Sequence, residues 1–290
     1  MNPRPRWKAL GHAGLLVVAT VYCLFPIYFM LVQSLKTAQE DVFGNPLIVV
    51  KPTFENFGEL FEREAEVRGF VGRALRRSYP FLDWMENTFV VFAGSVTVTL
   101  VLGLAAAYAL GRLRPPGFRW WRRAIFATYV VPHTILFVPL YQVVIRLHLD
   151  DNLLALLLVY PTLALPFCVW ILSAYFQQLP REVEESALVE GAGRRTAFFR
   201  IVLPMSWPVV VAAGIFSLGT IASDFTLASV FLLDAHNQTI PAGLGTMDVA
   251  LDELLAVAGI NLMAIPVVLI CAAFARGYVR GLTAAMVEGA

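Results

Sequence analysis

Six stretches of this chain are long and apolar enough to cross a lipid bilayer: 12–34, 87–111, 124–146, 153–176, 208–232 and 255–275. A helix rising ~1.5 Å per residue needs about 20 residues to span the hydrocarbon layer. The runs are continuous rather than alternating with period two, which favours helices over barrel strands. Composition agrees: 58% of residues are apolar and 15% charged, more apolar surface than a water-soluble domain can cover. The expected fold is all-α, a polytopic membrane protein with six transmembrane helices. Pro26, Pro132, Pro139, Pro161, Pro166 and Pro266 fall inside the runs. In a bundle, neighbouring helices satisfy the carbonyls that proline frees, so kinked helices are expected there.

Basic residues set the orientation. Arg4, Arg6 and Lys8 precede the first run, and Arg112, Arg114, Arg119, Arg122 and Arg123 crowd the second connection. Arg181, Arg194, Arg195 and Arg200 occupy the fourth, and Arg276 and Arg280 follow the last run. The third connection sets Arg146 against Asp150 and Asp151; the fifth carries Asp234, Asp248, Asp252 and Glu253 with no Lys or Arg. Both termini and the even-numbered connections are expected to face the cytoplasm. The first run is too long for a signal-peptide core and lacks a small-x-small cleavage pattern after it, so it is expected to remain as an anchor.

Residues 1–86 are read as this anchor plus an external loop, and 87–290 as the transmembrane core with an elbow at 180–204. In the loop, Phe57, Leu60, Phe61, Val67, Phe70, Val71, Ala74 and Leu75 recur at helical spacing, which predicts an amphipathic helix. Glu59–Arg63 and Glu64–Arg68 are i,i+4 pairs of favourable polarity. This surface suits either docking of an external partner or packing on the bundle.

A net charge of +1 gives no case for nucleic acid. Cys23, Cys168 and Cys271 sit in apolar runs and read as small buried hydrophobes. His12, His133, His148 and His236 have no metal-ligand spacing, so no metal is expected. The lysines, Lys8, Lys36 and Lys51, follow no glycine-rich loop, so the chain has no P-loop for ATP.

The elbow is the most structured polar segment. Pro180 suits a helix start, and Glu182, Glu184 and Glu185 suit its positive end. Gly191 and Gly193 permit a reversal, and Arg194 and Arg195 follow the first helix. A second short helix carrying Phe198, Phe199 and Ile201 is expected to run to Pro204 and Pro208. On helix physics alone this could be only a well-capped loop.

The pattern Glu185-Ser186-Ala187-Leu188, Glu190-Gly191-Ala192, then nine residues from Gly191 to Ile201-Val202-Leu203-Pro204, resembles the EAA loop of ABC importer permeases. Ser186 stands where alanine is usual, and Glu190 where aspartate is. The resemblance extends over most of the chain and is closest to carbohydrate-type permeases related to the maltose importer. It covers Leu24-Phe25-Pro26, Ser34-Leu35-Lys36-Thr37, Asn87-Thr88, the run from Ala105 to Arg114 with Pro116-Gly117, Thr239 to Leu244, and Arg280-Gly281-Leu282-Thr283. The family tail continues with a glycine and a lysine where Ala285 and Glu288 stand here, and its Trp-Asn-acid-Phe reads Ala222-Ser223-Asp224-Phe225.

This resemblance implies an inner-membrane subunit that moves a sugar or related polyol inward by alternating access. It implies a second homologous permease subunit, an extracytoplasmic solute-binding protein, and two ATPases holding the ATP and Mg, with membrane lipid around the bundle. Glu184, Glu185, Ser186, Ala187, Leu188, Glu190, Gly191, Ala192, Ile201, Leu203 and Pro204 would couple to an ATPase. Glu185 would meet a basic residue there, Ala187 would permit close approach, and Gly191 would set the turn.

An acid at membrane depth is costly unless it faces a cavity or partner, which makes Asp224 a candidate for the translocation pathway. Tyr108, Ser217, Thr220 and Asn261, with His133, Tyr160 and Ser173, are polar residues that line a route or bond neighbouring helices. Rival classes are a permease for a non-sugar solute, a stand-alone secondary carrier and an intramembrane enzyme. The last needs a clustered acid–base or metal constellation, and the carrier would favour inverted repeats; neither is visible.

Overall fold

The computed structural model describes residues 6–62, 65–68, 74–77 and 79–286. In chain order its elements begin with α1 (Arg6–Ser34), α2 (Ala38–Phe43), α3 (Glu55–Glu59), and strands β1 (Ala65–Arg68) and β2 (Ala74–Arg77). Next come α4 (Phe81–Tyr108), extended by a π-helical turn at Ala109–Leu113, then α5 (Phe118–Tyr129), α6 (His133–Arg146) and α7 (Leu153–Gln178). The elbow holds α8 (Arg181–Val189), α9 (Arg194–Ala197), a second π-helical turn at Phe198–Val202, and α10 (Leu203–Met205). Last are α11 (Trp207–Ala222), α12 (Thr226–Phe231), α13 (Ile240–Gly245) and α14 (Val249–Met286). The chain divides into two units, Met1–Phe81 with Thr246–Ala264, and Leu82–Gly245 with Ile265–Ala290.

Among the described residues, four helices are long and apolar enough to cross a membrane: His12–Ser34, Phe81–Leu113, Leu153–Gln178 and Asp252–Gly277. Arg194–Met205 and Trp207–Ala222 would make a fifth as one span, bent by 77°. The expected third span is two helices. The chain leaves helix after Tyr129 and re-enters at His133, with Pro132 at ψ 129° before it. Proline has no N–H to continue the ladder and biases its neighbour away from helix. The proline is not sufficient alone, because Pro26, Pro139, Pro161, Pro166 and Pro266 lie inside continuous helices. The expected fifth span also breaks, between Ala222 and Thr226.

The first unit carries a polar tier beyond the end of α1. Asn56 donates from Nδ2 to the carbonyls of Ser34 (2.9 Å) and Lys36 (2.8 Å), and the Thr53 amide donates to Leu35 O (2.9 Å). Lys36, wholly buried, donates from Nζ to Pro46 O (3.3 Å). Thr37 caps α2 by accepting from the Glu40 amide (3.3 Å). Tyr79 donates to Asp252 Oδ2 (2.6 Å), and Asn261 Nδ2 to Met30 O (3.1 Å).

Among the described residues, the amphipathic helix expected across Phe57–Leu75 is not formed. α3 stops at Glu59, and Val67, Ala74 and Leu75 lie in an antiparallel ribbon pairing Ala65 with Arg77 and Arg68 with Ala74. Gly69 and Gly72 in the sequence disfavour a helix through this point. Arg63, Glu64, Phe70 and Val71 lie outside the described residues, so the two ion pairs proposed there are not described.

In the second unit α7 is the centre, and α11 packs along it. One cluster gathers Val91, Leu156, Tyr160, Ile221, Leu227 and Phe231. The other gathers Ala107, Cys168, Leu172, Phe176, Val202, Val209 and Ala213. Lipid tails are as apolar as these side chains, so close van der Waals packing rather than water exclusion holds such helices together. Gly111 shows the requirement: a Cβ there would lie 3.0 Å from Phe176 Cβ and from Ser173 O. Residues 231–240 are strung across one end of this unit. Asp151 Oδ1 accepts from the amides of Leu233 (2.9 Å) and Asp234 (3.0 Å), and Trp84 donates to Ala235 O (2.6 Å). Asn87 Nδ2 donates to His236 O and Gln238 O, and His236 Nδ1 lies 2.6 Å from Asp83 Oδ2. The hydrogen bond to Asp83 raises the pKa of the exposed His236.

A candidate coupling elbow

α7 ends at Gln178, and Pro180, at φ −52° and ψ 128°, turns the chain into α8. Glu182 and Glu184 lie in the first turn of α8, where carboxylates oppose the positive end of the helix. They face opposite ways: Glu182 is exposed and Glu184 buried. Glu184 Oε2 accepts from Arg112 Nε (2.8 Å), and Glu184 Oε1 from the Tyr108 hydroxyl (2.5 Å). Arg112 spends its other donors on the end of α7. Nη1 donates to Leu179 O (2.7 Å) and Phe176 O (3.3 Å), and Nη2 to Pro180 O (3.2 Å). One guanidinium thus caps the last carbonyls of α7 and neutralises the carboxylate that opens α8. Tyr108 is held edge-on between Phe176 (6.5 Å) and Phe198 (4.9 Å).

The reversal after α8 is a Schellman turn. The Gly191 amide donates to Leu188 O (3.1 Å), and the Ala192 amide to Ala187 O (2.9 Å). Gly191 takes φ +92°, which side chains with a Cβ resist. Gly193, also expected to serve the reversal, is ordinary extended backbone at φ −70° and ψ 157°. The expected second helix forms, but with a π-helical turn over Phe198–Val202. It meets α11 at Ser206, whose buried hydroxyl donates to Val202 O (2.7 Å), and Tyr175 steadies the bend by donating to Met205 O (3.1 Å).

The other sequence-singled elbow residues divide by face. Glu185, Ser186, Glu190, Gly191 and Pro204 are exposed, and Ala187, Leu188, Ala192, Ile201 and Leu203 half-buried. Val189 at the tip is 88% exposed and Phe199 63%, which leaves apolar groups beside the free carboxylates. The sequence reading missed the pinning role of Arg112, which entered it as a marker of orientation and as part of the family-like run from Ala105 to Arg114. The available signal was Tyr108 and Arg112 at i,i+4, two donors on one helix face with no acid nearby.

The pathway candidates fall in both units. Tyr108 bonds Glu184 in the second, and Asn261 bonds Met30 O in the first. Ser217 and Thr220 donate to Ala213 O (2.8 Å) and Phe216 O (2.9 Å) of their own helix, and Ser173 to Trp170 O (3.0 Å). The His133 side chain lies outside the described residues. Asp224 sits in the break between α11 and α12. Its Oδ2 accepts from the amides of Leu227 (3.2 Å) and Ala228 (3.2 Å) and from the buried hydroxyl of Tyr160 (2.9 Å). It therefore acts as the cap of α12. Asp224→Ala should cost about 1–2 kcal/mol for the lost cap, and further for the unpaired Tyr160 hydroxyl. Asp224→Asn should keep most of that stability, as read by thermal unfolding of the purified protein.

Residues 99–284 match the family described as "Binding-protein-dependent transport system inner membrane component". The chain is 30% identical over 279 residues to the inner membrane ABC transporter permease protein YcjP of Escherichia coli K12, covering 94% of each. It is 28% identical over 276 residues to the diacetylchitobiose uptake system permease protein DasC of Streptomyces coelicolor, covering 94% and 95%. In fold it is similar, with a TM-score of 0.77 at 20% identity, to a chain of a bacterial ABC transporter involved in the import of the acidic polysaccharide alginate. That likeness covers 96% of this chain and 98% of the other.

Proposed function

The chain belongs to the inner membrane components of binding-protein-dependent transport systems, and on that premise we propose that it carries a sugar or related polyol inward, driven through the elbow. As a member of that family it is a multi-pass inner membrane permease rather than an enzyme, and the ATPase is a separate subunit. A second permease and a solute-binding protein complete the system. In our reading the stoichiometry is two permeases and two ATPases, with ATP and Mg held by the ATPases. Both termini and the elbow face the cytoplasm, as the arginine distribution favours.

The elbow geometry is the observation that carries this reading. It joins α7 directly to α11 and is pinned by Arg112 and Tyr108 to the end of α4. Glu185, Val189, Glu190 and Gly191 point away as an exposed tip. An ATPase that grips the tip moves three helices of the second unit together. Closure of two ATPases then switches the permease pair between two states, a rigid-body transition across an interface. Glu184 and Tyr108 hold the elbow in this scheme, and Glu185, Ser186, Ala187, Leu188, Glu190, Ala192, Ile201, Leu203 and Pro204 form or shape its docking surface. Any pathway contribution of Ser217 or Thr220 comes from lone pairs their own donations leave free, and that of Asn261 from its oxygen and its second N–H.

The sugar assignment is supported by the diacetylchitobiose relative and the carbohydrate-type sequence pattern. The complex should co-purify with an ATPase whose hydrolysis rises when sugar-loaded binding protein is added. Concentrative uptake in cells lacking every such ATPase would sink the reading, and stimulation only by a non-sugar solute would sink its sugar part.

A further inference from the structure

We propose that the start of α5 is a binding site for the phosphate-bearing headgroup of an anionic phospholipid. The sequence there is Arg119-Trp120-Trp121-Arg122-Arg123, and no acidic residue occurs between Glu86 and Asp150. Among the described residues, Arg122 and Arg123 make no ion pair, and Arg119 and Arg114 rest only against protein groups that carry no charge. Their guanidinium carbons each lie 5.8 Å from the centre of the Phe118 ring, and Arg114 donates to Gly111 O. The surplus of like charge is felt locally. Arg114 is pushed below its ordinary pKa, first by burial and then by Arg181, Arg112, Arg119 and Arg122. Glu184 already neutralises Arg112, but Arg119 and Arg122 make no ion pair among the described residues, and an anion placed beside them relieves that repulsion.

The surroundings favour a lipid over a protein partner. Trp120 and Trp121 are 67% and 55% exposed, edge to face at 5.5 Å. Directly after them, 124–145 has no Asp, Glu, Lys or Arg. Arginines that immediately flank a membrane-depth segment stand in the headgroup layer, where indole rings also settle. The elbow differs: Arg181, Arg194, Arg195 and Arg200 there are interleaved with Glu182, Glu184, Glu185 and Glu190. The inference rests on the membrane placement of the family, not on the coupling role, so its failure and that of the coupling reading are distinguishable.

The test uses the whole transporter complex in mixed micelles, with phosphatidylglycerol or phosphatidylcholine brominated on the acyl chains as quenchers of tryptophan fluorescence. Brominated phosphatidylglycerol should quench at a lower mole fraction, by roughly fivefold for each arginine engaged. The component so quenched should vanish in Trp120→Phe/Trp121→Phe. In Arg119→Gln/Arg123→Gln the two lipids should become nearly equivalent while the complex still elutes intact with its ATPase. Equal quenching by both lipids in the unaltered protein overturns the proposal. An unchanged lipid ratio in the arginine variant also overturns it, and ATPase release with that ratio intact assigns the patch to the ATPase instead.

Discussion

Replacing Arg112 by alanine should unfold the elbow more readily than any other single change in it. The substitution strips the carbonyls of Phe176, Leu179 and Pro180 of their guanidinium donor and leaves Glu184 buried beside Tyr108 alone. The pair is close to solvent-free, with side-chain exposures of 5% and 9%. Removing one partner of a buried pair costs about 3–5 kcal/mol, because the remaining charge has lost both water and counter-ion. Arg112→Lys should recover little of this, since an ammonium cannot spread donors over a carboxylate and three carbonyls. Glu184→Gln should be milder, because an amide oxygen still accepts one bond. The double change Arg112→Leu/Glu184→Leu should cost less than the two single leucine changes summed, since no charge is stranded. Thermal unfolding of the purified complex measures all of these. A melting temperature for Arg112→Ala within error of the unaltered protein would contradict the pinning.

The parts of this site legible in the sequence are those fixed by neighbours in the chain. Pro180 before a run of glutamates announces a helix start, and Gly191 after Val189 and Glu190 announces its stop. Both hold because capping involves residues a few positions apart. The partners of Arg112 were not legible, since its acceptors lie 64–72 residues further on and helical periodicity carries no information across that distance. The capping role of Asp224 was hidden for a related reason. An acid inside an apolar run reads first as a pathway residue while the run is taken as one unbroken helix. Ser223-Asp224 before Thr226 is also a helix-start signal, and the structure breaks the run there. In the external loop, Phe57, Leu60 and Leu75 keep helical spacing by count, yet Gly69 and Gly72 interrupt it, and the ribbon Ala65–Arg68 with Ala74–Arg77 forms instead.

Gly191→Asp should leave the protein inserted at normal levels and abolish coupled uptake. Two effects meet at this residue and they can be separated. A Cβ built on Gly191 meets nothing within 4 Å, so the fold itself has room for a side chain. The backbone at φ +92° penalises any residue with a Cβ by about 1–2 kcal/mol. That is too little to unfold a membrane bundle held elsewhere by α7 and α11. Gly191→Ala carries the backbone penalty with almost no added bulk, and should weaken ATPase association slightly. Gly191→Asn matches aspartate in size, tolerates positive φ better, and carries no charge. Aspartate adds a third carboxylate to a tip that already exposes Glu185 and Glu190, where the ATPase would seat. Association should fall roughly tenfold to hundredfold, equivalent to ~1.4–2.8 kcal/mol. The expected order of retained co-purification and uptake is Ala, then Asn, then Asp, with similar amounts of each variant in the membrane. If the aspartate variant, correctly inserted, took up solute at the unaltered rate, the tip would not be where the ATPase holds this subunit.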